Sequence, residues 1–175
     1  RTSWILPFEE RSINVTSDKN SFVNIFRARY DVGENYFGFI TTNRDLTDSY
    51  NRVIGFDAQY KIGKQNYIQA SILRSWNKEL DDTLLNVQNF NFNGHTSAFD
   101  GEDFSGNAYY LDFSHTSRHF GLNLNYKDIS PDFRADNGFV SRNNLRQFNF
   151  STGYTGYPNK PFLRNFTISN GFSWI

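Results

Sequence analysis

Three histidines, His95, His115 and His119, are the first residues to suggest a metal site. His115 and His119 flank Ser117-Arg118 with no carboxylate at a fixed nearby spacing. The ligand pattern of a zinc or copper centre is missing, and no metal is expected. Carboxylates gather instead in "KELDDTLLNVQNFNFNGHTSAFDGEDF", where Asp81, Asp82, Asp100, Glu102 and Asp103 surround Gly101. Oxygens of this kind suit calcium, yet the EF-hand spacing is absent, and solvated loops are often acidic. The same segment carries Phe90 and Phe92, and Trp76 just precedes it. Such rings can stack on a sugar or dock on a partner when a scaffold holds them out. For catalysis there is little. No Gly-x-Ser-x-Gly, His-Glu-x-x-His or phosphate-cradling glycine loop occurs. Asp57 with Asp112 reads as a polar layer rather than an acid and base. The expected protein is not an enzyme and needs no cofactor.

What positions these residues is a repeated two-residue rhythm. In "HFGLNLNYKDI" the set Phe120, Leu122, Leu124, Tyr126 opposes Gly121, Asn123, Asn125, Lys127, because successive strand side chains point to opposite faces. "YNRVIGFDAQYKI" repeats it with Tyr50, Ile54, Phe56, Ala58, Tyr60 and Ile62 against Asn51, Asp57, Gln59 and Lys61. Eight strands are predicted, over 21–32, 35–43, 50–62, 65–76, 105–116, 118–129, 143–157 and 161–175. A less regular lead-in over 1–20 has room for one more strand around Ile13 to Thr16. "NYFGFITTN" is apolar on both sides, so the faces of the second strand are not assignable. Most of these strands exceed the usual length of about five or six residues and match the ~9–11 needed to cross a bilayer at a tilt.

The connections sort by length. Gly33-Glu34, Gly63-Lys64, Ser117-Arg118 and the turn Tyr157-Pro158-Asn159-Lys160 are short, whereas 44–49, 77–104 and 130–142 are long. Tight turns at one end and long loops at the other are the pattern of outer-membrane barrels. Greek-key sandwiches do not sort their connections so regularly. On this reading Arg27, Arg29, Asp57, Lys61, Asp112 and Lys127 face the lumen, where opposite charges can pair across strands.

Composition sets the outer limits. The chain has 175 residues with 18 Lys plus Arg against 18 Asp plus Glu, so no net charge recruits nucleic acid. There is no Cys, hence no disulfide framework or thiolate site. Aromatics reach 18% of the residues while mean hydropathy is −0.64. That combination fits many strands with one apolar face. No apolar run approaches the ~20 residues of a membrane helix, which leaves a barrel open. A chain that opens on Arg1 and lacks Met reads as processed or as a piece of a longer one.

Two strings carry a resemblance: "TTNRDLTDSYNRVIGFDAQYKI", Thr41 to Ile62, and "DISPDFRADNGFVSRNNLR", Asp128 to Arg146. Their Thr-Asn-Arg, Tyr-Asn-Arg-Val-x-Gly-x-Asp and Ser-Pro-Asp-Phe-x-x-Asp-x-Gly-Phe-Val-x-Arg elements are similar to those of an uncharacterised C-terminal barrel domain of Bacteroidota. That barrel usually follows a carbohydrate-binding-like sandwich, which is missing here, and it is longer than this chain. The resemblance implies an outer-membrane location and part of a larger barrel, and supplies no reaction. In such bacteria Asp82-Thr83-Leu84 would fit the O-glycosylation pattern at Thr83.

The expected protein is therefore all-β: an antiparallel up-and-down transmembrane β-barrel with about eight strands here, occupying 21–175. It would act as a pore, scaffold or surface anchor in outer-membrane lipid, its loops at 77–104 and 130–142 meeting a glycan or a protein partner of an envelope complex. The alternative is a soluble carbohydrate-binding β-protein using Phe90, Phe92 and Trp76.

Overall fold

A computed structural model of the chain describes residues 2–5, 8–9, 21–82, 91–96, 98–138, 140 and 142–175. The expected strand at Ile13 to Thr16, Phe90 and Thr83 lie outside the described residues. The strands in chain order are β1 (Thr2–Ile5), β2 (Phe8–Glu9), β3 (Ser21–Val32), β4 (Asn35–Leu46), β5 (Ser49–Ile62), β6 (Asn66–Lys78), β7 (Asn91–Phe92), β8 (His95–Thr96), β9 (Asp103–Thr116), β10 (Phe120–Ile129), β11 (Leu145–Gly156) and β12 (Phe166–Trp174). Eight of these are long. They pair antiparallel in the order β3-β4-β5-β6-β9-β10-β11-β12, with β1 and β2 along the outer edge of β3 and β7-β8 forming a separate hairpin. The sheet is not closed, since β12 pairs with β11 alone. Among the described residues no helix is long and apolar enough to cross a membrane, which says nothing of strands.

The turns form where the backbone allows. Gly33 and Gly63 adopt φ of +62° and +64°. Glycine reaches that conformation without a Cβ clash, and each closes a tight hairpin. Asn93 and Gly94 do the same for β7-β8 at +48° and +86°. Two predicted boundaries are corrected, and with them the sorting of connections by length: β4 runs on to Leu46, so the connection expected to be long over 44–49 is the two-residue turn Thr47-Asp48, and the last strand begins at Phe166 rather than 161, so the turn expected to be short is the longer connection 157–165. Pro158 and Pro161 cannot donate to a ladder. Between them Asn159 takes a φ of +51°, which breaks the strand.

Register settles the faces. One ladder row runs Arg27, Ile40, Gly55, Leu73, Ala108, Ile129, Leu145 across seven strands. Every residue of that row shares a face, which also assigns β4. Tyr36, Gly38, Ile40 and Thr42 lie with Arg27, while Phe37 and Phe39 lie on the opposite side. Because Arg27 sits mid-strand in β3 and Leu145 is the first residue of β11, the rows slant across the sheet.

The two faces differ in kind. On one lie Tyr30, Phe37, Phe56, Tyr60, Ile72, Leu111, Tyr154, Ile168 and Phe172, each 48% exposed or more. All large apolar strand residues left exposed belong to this face. The other face is polar except near the long-loop end, where Val53, Ala108 and Ile129 pack with Phe133 into a small core.

Candidate functional site

The polar face is built of fixed partners rather than bare charge. All six residues expected to share a face do so: Arg27, Arg29, Asp57, Lys61, Asp112 and Lys127 lie on it by register. Arg27 Nη2 meets Asp57 Oδ2 at 2.7 Å, across a gap that Gly38 leaves open; a Cβ there would overlap the Asp57 carboxylate. Arg29 pairs with Asp31 at 2.7 Å and its guanidinium lies 3.7 Å over the Tyr36 ring. Lys61 pairs with Glu34, and the Lys127 ammonium stands 5.6 Å from the Tyr110 ring.

Asp112 belongs to a polar row: Tyr36, Gln59, Gln69, Asp112, Asn125, Asn149 and Ser173 occupy successive strands at one level. Gln69 donates to Tyr36 Oη at 2.9 Å, Asn125 to Asp112 Oδ1 at 2.5 Å, Asn149 to Asn125 Oδ1 at 3.1 Å, and Ser173 to Asn149 Oδ1 at 2.7 Å. Amides suit this role because each both donates and accepts. The row is a hydrophilic surface of nearly fixed shape.

Above that row, toward the long loops, residues 130–138 fold down onto the same face. Phe133 is only 2% exposed. Burying a side chain of that size contributes about 1.5–3 kcal/mol. It fits because Gly106 lies beneath it: a Cβ on Gly106 would overlap the Phe133 backbone. A buried polar column holds the loop in place. Asn51, Ser75 and Asn77 are 3%, 0% and 5% exposed. Asn51 Nδ2 donates to Arg134 O at 3.2 Å and to Asn77 Oδ1, while Asn51 Oδ1 accepts from Asp136 N at 3.0 Å. Ser75 Oγ accepts from Arg134 N at 3.1 Å, and Ser130 Oγ from Asn107 N at 2.9 Å. The β7-β8 hairpin reaches over as well, with Asn93 Nδ2 donating to Asp132 Oδ2 at 2.6 Å.

Residues 130–138 of the long loop expected over 130–142 are thus tucked against the sheet. Its neighbour 77–104 is also more ordered than a free loop: Asp81 bridges Asp100, and Asp82 N donates to Phe99 O at 2.8 Å. Sequence reasoning missed Ser75, Asn77, Gly106 and Arg134. The signal for Asn51 and Ser130 was present, since they belong to the two quoted motifs, and those motifs meet here in space. Trp76 lies within β6, as the strand expected over 65–76 placed it, and turns to the apolar face. Phe92 belongs to the β7-β8 hairpin.

The histidines are spent on local bonds. His115 Nδ1 lies 2.7 Å from Asn66 Oδ1, His119 Nδ1 lies 2.9 Å from Thr155 O, and His95 lies 3.3 Å from Glu102. Among the described residues no three His, Asp or Glu side chains gather as metal ligands.

Two carboxyls beside the docked loop are shifted by their surroundings. Burial pushes Glu79 up, opposed first by Arg134 and reinforced by Asp100 and Glu102. Asp136, whose side chain is 43% exposed and lies 3.6 Å from Arg44, is raised by partial burial against the pull of Arg44 and Arg134. A carboxyl whose folded pKa is raised contributes stability that is complete below its unfolded value and is lost as pH rises through the folded one. Amide exchange of Arg134 and Asp136, corrected for intrinsic rates, should therefore slow on going from about pH 7.5 down to about pH 4, where the unfolded carboxyl values are reached. Glu79→Gln with Asp136→Asn should flatten that dependence. Faster exchange at the lower pH would contradict this account.

Antiparallel strands with one bare apolar face and one hydrogen-bonded polar face define an all-β protein of open-sheet architecture. No known protein family, curated protein or solved structure matches the chain.

Proposed function

We propose that this chain is the membrane-embedded part of a bacterial outer-membrane β-barrel, non-enzymatic, serving as a pore, scaffold or surface anchor. The observation that carries this is the inversion of the faces. Large apolar side chains stand uncovered on one side, whereas ion pairs, the amide row and a folded-in loop occupy the other. A soluble protein rarely exposes an apolar patch beyond a few hundred Å2, while lipid requires such a surface.

Dimensions agree. On β5 the apolar-face residues run from Ile54 to Ile62. They span about 26 Å at ~3.3 Å per residue, or ~20 Å after a tilt of about 40°, near the ~25 Å apolar band of a barrel. A slanted register is what closure into a barrel would use. The docked 130–138 loop would narrow the lumen at the outer end, and the 77–104 and 130–142 segments would meet a glycan or protein partner there. The same location is what the motif resemblance implies.

Fractionation of the native full-length protein tests this. The reading predicts extraction by detergent only, with gel mobility that shifts on boiling. Recovery as a soluble protein without that shift would sink it and favour the carbohydrate-binding alternative.

A further inference from the structure

The apolar face is not uniform. Ala58 and Ala70 are register partners in the middle of β5 and β6, and Phe37, Phe56, Ile72 and Leu111 rise around them. The two small side chains leave an open groove of about 670 Å3, lined mostly by carbon. That falls in the ~300–1,000 Å3 range of small-molecule sites.

Toward the long loops the same face turns polar and carries three arginines, Arg52, Arg74 and Arg146. Two have carboxylate partners: Arg52 meets Asp45 at 3.1 Å and Arg146 meets Asp128 at 2.9 Å. Arg74 differs. Among the described residues its guanidinium donates to Ser105 Oγ at 3.2 Å and lies 5.4 Å from the Trp76 ring, with no carboxylate paired to it. It stands two residues beyond Ile72 and four beyond Ala70. Those offsets are about 7 Å and about 13 Å along the strand from the groove. Its length lets the charged end reach further while its methylenes stay on apolar surface.

A cation with no paired carboxylate among the described residues, two residues along β6 from the groove wall at Ile72, matches an amphiphile bearing an anionic head and an apolar tail. We propose that this groove binds one phosphorylated lipid, an acyl chain lying over Ala58 and Ala70 and the phosphate on Arg74. Arginine suits phosphate because its planar donors engage two oxygens at once. Asp128, the nearest acid of this face bordering the groove, is neutralised by Arg146 and accepts from Tyr126 Oη at 2.9 Å, so it leaves the phosphate site cationic. The inference rests on the membrane reading above and adds a particular ligand to it.

Detergent-solubilised full-length protein that has passed the heat-mobility test is titrated with dioctanoyl phosphatidic acid and followed by native mass spectrometry. Dioctanoylglycerol and inorganic phosphate serve as the tail-only and phosphate-only probes. The expected result is a one-to-one phosphatidic acid adduct, weakened about tenfold by Arg74→Gln, as befits one lost charged hydrogen bond. Ala70→Phe, which fills the groove from an exposed position, should abolish the adduct, and Arg52→Gln should leave it intact. Equal weakening by Arg74→Gln and Arg52→Gln would mean diffuse charge attraction and overturn the proposal. Undiminished binding to Ala70→Phe, or displacement by inorganic phosphate alone, would overturn it too. A protein that never enters the membrane fails earlier, at fractionation, and that failure belongs to the membrane reading.

Discussion

Gly106→Val should eject the 130–138 loop from the polar face while leaving the sheet intact. The strand tolerates valine, but the new side chain would occupy the space of the Phe133 backbone. Loss of the Phe133 burial costs about 3 kcal/mol, the upper end of what burying such a side chain contributes. The Asn51 and Ser75 bonds to the loop go with it. Trypsin cleavage after Arg134 reads the outcome, since cleavage follows the population of the open form. The variant should be cut about a hundredfold faster than the parent, as ~3 kcal/mol implies. Gly121→Ala is the control: it lies on the same face with nothing within 4 Å of its added carbon, and its cleavage rate should not change. If both glycine variants are cut like the parent, the loop is not held by this packing.

A second large effect concerns the opposite face. Ile72 stands in the middle of β6 and is 48% exposed. Ile72→Arg should cost about 2–4 kcal/mol of assembly in a bilayer, the range for a cation at mid-depth on a barrel's lipid face. Ser71→Arg, one residue away, turns to the polar face and stands opposite Asp57, whose Oδ2 pairs with Arg27 and whose Oδ1 has no hydrogen-bond partner among the described residues. Heat-modifiable band intensity in the membrane fraction should fall for the first and hold for the second. In water the order reverses, because an arginine in place of an exposed isoleucine costs nothing and aids solubility. Equal assembly of the two variants would argue that the apolar face does not meet lipid.

Much of the sheet was legible in the chain because period-two alternation is a local signal. The strands around Tyr50 to Ile62 and Phe120 to Ile129 were placed within a residue or two by it alone. For β4 the pattern failed, since Tyr36 and Ile40 are apolar yet lie with Arg27 and Asp57; only pairing with β3 and β5 separates them from Phe37 and Phe39. The folded-in loop was illegible for a different reason. Phe133 looked like any loop aromatic, and its burial depends on the absence of a side chain at Gly106 and on Asn51, which lies more than eighty residues from its partner Asp136. Such contacts are properties of register between distant strands, which no local window contains. The three arginines at the outer end of the apolar face were hidden likewise: their spacing is irregular in sequence, and only pairing brings Arg52 beside Trp76 and Arg146 beside Asp128.

Cysteine labelling along β5 asks most directly which way the faces point, and these 175 residues hold no cysteine to interfere. Single replacements at Ile54, Phe56, Ala58 and Tyr60, and at Asp57, Gln59 and Lys61 between them, would be made in the full-length protein and treated in intact membranes with a water-soluble maleimide. The outward-apolar barrel predicts labelling at 57, 59 and 61 and protection at 54, 56, 58 and 60, with the protection lost once the chain is boiled in denaturing detergent. Free labelling of the even positions in the folded protein would contradict it.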